Sequence, residues 1–336
     1  MFKAKLAAAA EKQTTIVVLG DSIAHGAHGN AQNFTYYFTA ALQAKYGVGS
    51  DVTSKNFLDA RSLVSDACFQ LGTWTPVLHY GLTEETFGAA ATSSSTSSSM
   101  NCGFRGDTIR VIAYTSSASK AGSVRIDKQA RTAQLCFQSS NRPLACMNEY
   151  HVSGPDVAHE LEVTPGQDGD LNFMSEWATI GNTGVALLNA AIPQTTSQLV
   201  GDPSHHDWLK LVPNIGLVIY EYGQNDIDYP SSRYAANVES VFADLKQAGV
   251  PVLVLAAEWG KQTCGTNSCR DKLDWILKQK ALKYGYPFLN IHSRWGSFEE
   301  GNAKGFFLDS IHPSEAGDRD ITQFLITSIF PHGIGN

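Results

Sequence analysis

The chain has 336 residues, 43% hydrophobic and 17% charged, the composition of an ordered globular protein and not of a disordered or fibrous one. Its 25 basic and 32 acidic side chains give a net charge of −7 with no Lys/Arg run, which argues against nucleic acid or an anionic membrane as the main partner and favours a neutral or small-molecule substrate. No apolar run approaches the roughly 18 to 20 residues of a membrane span.

The opening Met1-Phe2-Lys3-Ala4-Lys5-Leu6-Ala7-Ala8-Ala9-Ala10 is basic and then apolar, but the apolar part covers five residues and Glu11-Lys12 follows at once, so it is not read as a cleavable signal. Ile16-Val17-Val18-Leu19 then reads as a strand buried on both faces. Gly20 and Asp21 end it and offer Ser22 at its carboxyl end, the edge of an open α/β sheet where ligands bind. Taken alone, Ser22 fits a solvated turn as well as a nucleophile. Phe34 to Tyr46 repeats apolar residues at helical spacing and stops at Gly47, completing strand, loop and helix. A helix is expected around Phe57 to Leu71.

The character changes after that. Ala89 to Ser99 is a tract of small residues compatible with a strand or a linker, and Asp107–Thr115, Ser123–Asp127, His159–Thr164 and Leu171–Ile180 alternate as strands do. With no helical period over about 90 residues, these segments specify a small β-sandwich of jelly-roll-like type inserted into the α/β domain. From Gly184 the α/β rhythm returns. Val185–Ile192 is expected to be a helix ending at Pro193, Ile215–Tyr220 a buried strand, Tyr234–Gly249 an amphipathic helix, Val250–Ala256 a strand, Lys272–Tyr284 a helix, and Pro287–Ile291 the last strand before a final helix beyond Pro313. Strands alternating with helices in this way specify a three-layer α/β/α parallel sheet with right-handed crossovers. The expected domains are a discontinuous α/β one, 1–80 and 180–336, and the inserted sandwich, 81–179.

The cysteines Cys68, Cys102, Cys136, Cys146, Cys264 and Cys269 permit up to three disulfides and require none. Cys264 and Cys269 can close a loop or remain unlinked, and the absence of paired CxxC spacing argues against zinc.

Three polar clusters fall at expected strand ends: Gly20-Asp21-Ser22, Gly223-Gln224-Asn225-Asp226 and Asp309-Ser310-Ile311-His312-Pro313. A parallel sheet gathers such ends on one edge. A serine needs a base to take its proton, a group to orient that base and donors for the oxyanion formed on the attacked carbonyl. His312, Asp309 and Asn225 are residue types able to supply these roles. Other candidates have ordinary explanations. His25 and His28 lie near Ser22 in a Gly-rich loop that tolerates histidine. Adjacent side chains in His205-His206-Asp207 point apart, which disfavours a metal. Glu258-Trp259 offers a pocket wall or core packing, and Asp168-Gly169-Asp170 is too short for an EF-hand loop.

At these clusters the sequence resembles the GDSL, or SGNH, hydrolase family. Gly20-Asp21-Ser22 matches the nucleophile block, with Ile23 in place of the leucine of the family name; Gly223, Asn225 and Asp226 match Gly-x-Asn-Asp; Asp309, His312 and Pro313 match Asp-x-x-His-Pro. The resemblance implies an SGNH, flavodoxin-like fold and a catalytic Ser22, Asp309 and His312. It implies an oxyanion hole of Ser22, Asn225 and a glycine after the second strand, with Asp21 and Asp226 in support. Gly184 of Asn182-Thr183-Gly184 fits that glycine best because a helix is expected to follow it; Asn56 to Ser62 competes but holds no glycine. No cofactor or metal is implied. Relatives with an added β-sandwich are often carbohydrate O-acetyl esterases, including bacterial cell-wall enzymes and phage tail deacetylases. The expected activity is therefore removal of short acyl groups, acetyl above all, from an O-acylated glycan, in an extracellular, surface or virion-associated setting. A lipase or lysophospholipase, and a carbohydrate-binding protein with a vestigial hydrolase domain, are the alternatives.

Overall fold

Thr14–Gly20 forms the first strand, β1, and all of it is buried, as an aliphatic run covered on both faces should be. In the computed structural model, which describes residues 1–26, 32–51, 68–73, 75–77, 90–115, 122–130, 144–154, 157–166, 171–201, 207–257 and 268–334, a short helix α1 (Phe2–Ala7) precedes it and buries Phe2 and Leu6. After β1 the chain turns at Asp21, whose carboxylate caps α2 (Ser22–His25) by accepting the Ile23 N–H at 3.0 Å. The next helix, α3 (Phe34–Tyr46), is capped by the Asn33 side chain, buries Phe34, Phe38 and Leu42 along one face, and ends at Gly47 as the sequence requires.

Two compact units follow from the contacts: Met1–Val48, Gly184–Pro203 and Asn214–Asn336 make one, Gly49–Thr183 and Ser204–Pro213 the other. The second unit holds β2 (Cys68–Leu71), β3 (Thr75–Val77), β4 (Ala90–Ser93), β5 (Ser99–Arg105), β6 (Thr108–Thr115), β7 (Gly122–Ile126), β8 (Gln129–Ala130), β9 (Leu144–His151), β10 (Ala158–Pro165) and β11 (Leu171–Thr179). They form two antiparallel five-stranded sheets, β2-β5-β10-β7-β8 and β3-β4-β11-β6-β9. Met100, Cys102, Leu161 and Val163 from the first sheet share a core with Ile109, Val111 and Tyr150 from the second, which makes the unit a β-sandwich. Its inward residues follow the period of two, as in β10, where His159, Leu161, Val163 and Pro165 are the buried set.

The unit starts at Gly49, upstream of the expected boundary at residue 81, because Cys68–Leu71 is a strand paired with β5 and not the end of a helix. The rest of that expected helix lies outside the described residues. Cys68 faces Cys102 in register, and the two are joined by a disulfide. Cys146 is also disulfide-bonded. Cys264 lies outside the described residues. The short turn Asp207–Leu211 packs against β9, so it falls in this unit and not with the α/β part.

Glu176 of β11 is 3% exposed, and burial pushes its carboxyl up to about 8, against a weaker pull from its backbone N–H. Its Oε2 lies 3.1 Å from Cys68 Sγ, a disulfide sulfur with no proton to give, so the carboxyl supplies the hydrogen. A folded-state value raised from 4.5 to about 8 stabilises the fold fully below the lower figure and loses that stability as pH rises through the higher one. Glu176→Gln is accordingly expected to flatten the fall in melting temperature between mildly acidic and alkaline pH, by a few kcal/mol of stability in order of magnitude. Calorimetry on the whole chain across pH checks this; parallel pH curves for both proteins would refute it.

Back in the first unit, β12 (Val185–Asn189) is a strand, not the expected helix, and it pairs in parallel with β1 from Thr14↔Val185 to Val18↔Asn189. Then come α4 (Gln198–Gly201), β13 (Ile215–Glu221), α5 (Ser231–Gln247), β14 (Val252–Ala256), α6 (Ser268–Tyr284), β15 (Phe288–Asn290), α7 (Ile291–Trp295), α8 (Phe298–Ala303) and α9 (Glu315–Ile329). The sheet is parallel in the order β12-β1-β13-β14-β15, with α3 against α9 and α5 against α6. α5 buries Val238, Val241, Phe242 and Leu245, the stripe its spacing predicts. From β1 the chain goes to one side for β12 and to the other for β13. That reversal opens a crevice at the carboxyl end of β1, where Ser22 begins α2. No helix among the described residues is long and apolar enough to cross a membrane.

Candidate active site

The end of β1 is built so that only glycine fits before the turn. A Cβ at Gly20 would lie 2.7 Å from Ala24 Cβ and from two oxygens of Glu221. Glu221, the last residue of β13 and fully buried, accepts the Asp21 N–H on Oε2 at 3.3 Å. Burial pushes the Asp21 carboxyl up to about 7, with the Ile23 N–H pulling it down and the charge of Asp226 adding to the rise. Ser22 is thus held on a backbone fixed from both strands.

The third cluster reaches Ser22 from a loop between α8 and α9, further from a strand end than the sequence suggests. Phe307 and Pro313 form an isolated bridge and Leu308 N–H donates to His312 O at 2.9 Å, which folds residues 307–313 into a tight loop. Inside it Asp309 Oδ1 accepts the Ile311 N–H at 2.7 Å and the His312 N–H at 2.8 Å, while Oδ2 faces His312 Nδ1 at 2.9 Å. His312 Nε2 lies 3.0 Å from Ser22 Oγ across 290 positions of sequence. Burial raises the Asp309 carboxyl, but the His312 N–H, the imidazole and the Ile311 N–H together bring it below its ordinary value. The imidazole therefore sits between an ionised carboxylate and a hydroxyl, the arrangement in which it can take the hydroxyl proton.

Asn225 follows β13 in a single turn of 3-10 helix after Gly223, and its Nδ2 donates to Thr195 O at 2.9 Å. Asp226 is buried and accepts from Ser197 N–H at 3.2 and 3.0 Å and from Ser197 Oγ at 2.6 Å. Burial raises the Asp226 carboxyl, and those bonds from Ser197 oppose the rise. The loops after β12 and β13 are thereby tied to each other beside the end of β1, where Ile192 N–H also donates to Gly20 O at 2.9 Å.

Gly184 does not join this group. Because Val185–Asn189 is a strand, Gly184 stands at its amino end, next to the start of β1, and its N–H donates to Ala9 O. Its φ of 81° and its packing against Gly47 and Val48 give it a structural role at the opposite edge of the sheet. The competing Asn56 to Ser62 lies outside the described residues. His25 is buried at the end of α2. His28, His205, His206, Glu258 and Trp259 are outside the described residues, as is Asp168-Gly169-Asp170. Sequence reasoning overlooked Glu221, Asn189 and the loop 190–197. Asn189 ends β12, donates through Nδ2 to Ala24 O at 3.0 Å and accepts the Ala191 N–H at 3.1 Å, so it braces α2. Among the described residues one group has metal-ligand spacing, Cys68, Cys102 and Glu176, and its two sulfurs are bonded to each other.

Residues 161–319 match the model of the GDSL-like lipase/acylhydrolase family. The matched stretch contains Asn225, Asp309 and His312 and begins well after Ser22, which the insert separates from it. No curated protein matches the chain in sequence. Among solved structures, one described as a peptidoglycan O-acetylesterase in action is 16% identical with a TM-score of 0.67, covering 98% of this chain and 94% of its own. An acetylxylan esterase from Geobacillus stearothermophilus is 18% identical with a TM-score of 0.37, over 44% of this chain and 73% of its own. A protein from Bacillus subtilis is 12% identical with a TM-score of 0.39, over 80% of this chain and 89% of its own.

Proposed function

We propose that this SGNH hydrolase, which resembles a carbohydrate O-acetyl esterase in fold, is a serine esterase that removes acetyl groups from a glycan. The observation that carries the reading is the chain of contacts from Asp309 through His312 to Ser22, at 2.9 and 3.0 Å. Ser22 Oγ attacks the ester carbonyl as its proton passes to His312 Nε2, giving a tetrahedral oxyanion. The oxyanion is held by the Ser22 N–H and the Asn225 amide. Collapse breaks the bond to the sugar oxygen, which takes the proton back from His312 and leaves an acetyl-enzyme. Water, deprotonated by His312, then attacks that carbonyl, and acetate departs as Ser22 recovers its proton. Asp309 keeps the imidazole proton on Nδ1, so that Nε2 remains the acceptor. Asp21 and Asp226 support the turn and the loops.

The glycan half of the reading draws support from the fold likeness, along nearly the whole chain, to a structure described as a peptidoglycan O-acetylesterase. An extracellular, surface or virion setting fits the disulfide between Cys68 and Cys102, a bond that persists in oxidising compartments. The test is acetate release from acetylated xylan, O-acetylated peptidoglycan and acetylated lipopolysaccharide, beside a p-nitrophenyl ester series of rising acyl length. Acetate release and a rate that falls from acetyl to octanoyl are expected. A preference for octanoyl would replace the reading with a lipase, and acetate release equally slow from wild type and Ser22→Ala would leave a glycan-binding protein.

A further inference from the structure

Gln194 has a backbone that its side chain makes costly. Its φ is 64°, in the left-handed region. Three other described non-glycine residues share that region, each with a local reason: Asp127 and Lys128 are the two-residue connection between β7 and β8, where a tight hairpin requires it, and Asn214 is of a type that tolerates it. Gln194 is neither part of a two-residue hairpin connection nor of a residue type that favours this region. It is the third residue of the turn Ile192-Pro193-Gln194-Thr195, which Thr195 closes by donating its N–H to Ile192 O at 3.4 Å and its Oγ1 to the same oxygen at 2.7 Å. Proline second and a positive φ third are the marks of a type II turn, whose third position ordinarily belongs to glycine.

The turn cannot relax by moving. Ile192 N–H is bound to Gly20 O, two residues before Ser22, and Thr195 O accepts from Asn225 Nδ2 at 2.9 Å. Gln194 lies in the chain between those two anchors, one tied to the strand that leads to Ser22 and the other to Asn225, and it is exposed while Ile192 and Ser197 are buried. Left-handed non-glycine residues held by their surroundings concentrate at functional sites. An exposed carboxamide, both donor and acceptor, is suited to sugar hydroxyls and has nothing to offer an acetyl methyl.

We infer that Gln194 is a specificity-determining residue of the site, its carboxamide binding a hydroxyl of the sugar that carries the scissile acetyl. This rests on the reading of Ser22 as the nucleophile of a glycan esterase. The test compares wild type with Gln194→Gly and Gln194→Ala on two substrates, p-nitrophenyl acetate, which has no sugar, and whichever acetylated glycan the acetate screen finds the protein to cleave. Both variants are expected to lose about five- to tenfold in kcat/KM on the glycan and to stay within about twofold on the aryl ester. Gln194→Gly, relieved of the left-handed side chain, should melt no lower than wild type. Equal losses on both substrates would make the turn a positioning element and overturn the inference, as would unchanged rates on both. Ser22→Ala hydrolysing the aryl ester as fast as wild type, or wild type cleaving the aryl ester but no acetylated glycan, would instead remove the underlying reading.

Discussion

Ser22→Ala protein is expected to hydrolyse p-nitrophenyl acetate about five to six orders of magnitude more slowly than wild type in kcat, with its melting temperature little changed. The large loss follows from covalent catalysis, since removing Oγ leaves His312 with no proton to take and the ester with no nucleophile. The small structural effect follows from the position. Ser22 begins α2 behind an Asp21 cap, and its side chain bonds to His312 across the site; alanine keeps the helix and costs one partly buried hydrogen bond. His312→Ala should be as severe, and the double variant no worse than either, because the two side chains act as one unit. Rates that fall multiplicatively in the double variant would mean that serine and histidine act separately and would dismantle the proposed mechanism.

The parts of this site that were legible in the sequence are those whose signal is local. Ile16-Val17-Val18-Leu19 announces a buried strand, Gly20 and Asp21 end its apolar run, and Asp309 lies three residues before His312, the spacing that lets one loop supply both. Long-range pairing hid the rest. Val185-Ala186-Leu187-Leu188 has the propensity of a helix, and the open edge of β1 decides that it is a strand. That one reversal carried Gly184 to the wrong end of the sheet. It also concealed the loop 190–197, where the turn position that usually announces itself as glycine is occupied by glutamine. In the sandwich, β9 escaped notice because Cys146, Met147, Asn148 and Glu149 do not alternate in polarity, and the Cys68–Cys102 bond depends on a register that spacing alone does not supply.

Asp309→Asn separates charge and tautomer from shape, and a fall of about ten thousandfold in kcat is expected with the fold intact. Oδ1 receives two backbone N–H groups, from Ile311 and His312, at 2.7 and 2.8 Å. An asparagine must therefore keep its carbonyl oxygen there, since turning its NH2 toward two donors would leave both unsatisfied. The NH2 then faces His312 Nδ1, 2.9 Å away in the wild type, and as a donor it obliges that nitrogen to accept. The imidazole proton moves to Nε2, which now donates toward Ser22 Oγ and cannot take its proton. Asp309→Ala, by contrast, leaves both backbone N–H groups without their acceptor and should lower the melting temperature as well as the rate. Steady-state kinetics and thermal melts on the two variants together decide the matter. An asparagine variant that keeps more than about a tenth of wild-type kcat would show that the carboxylate does not set the tautomer.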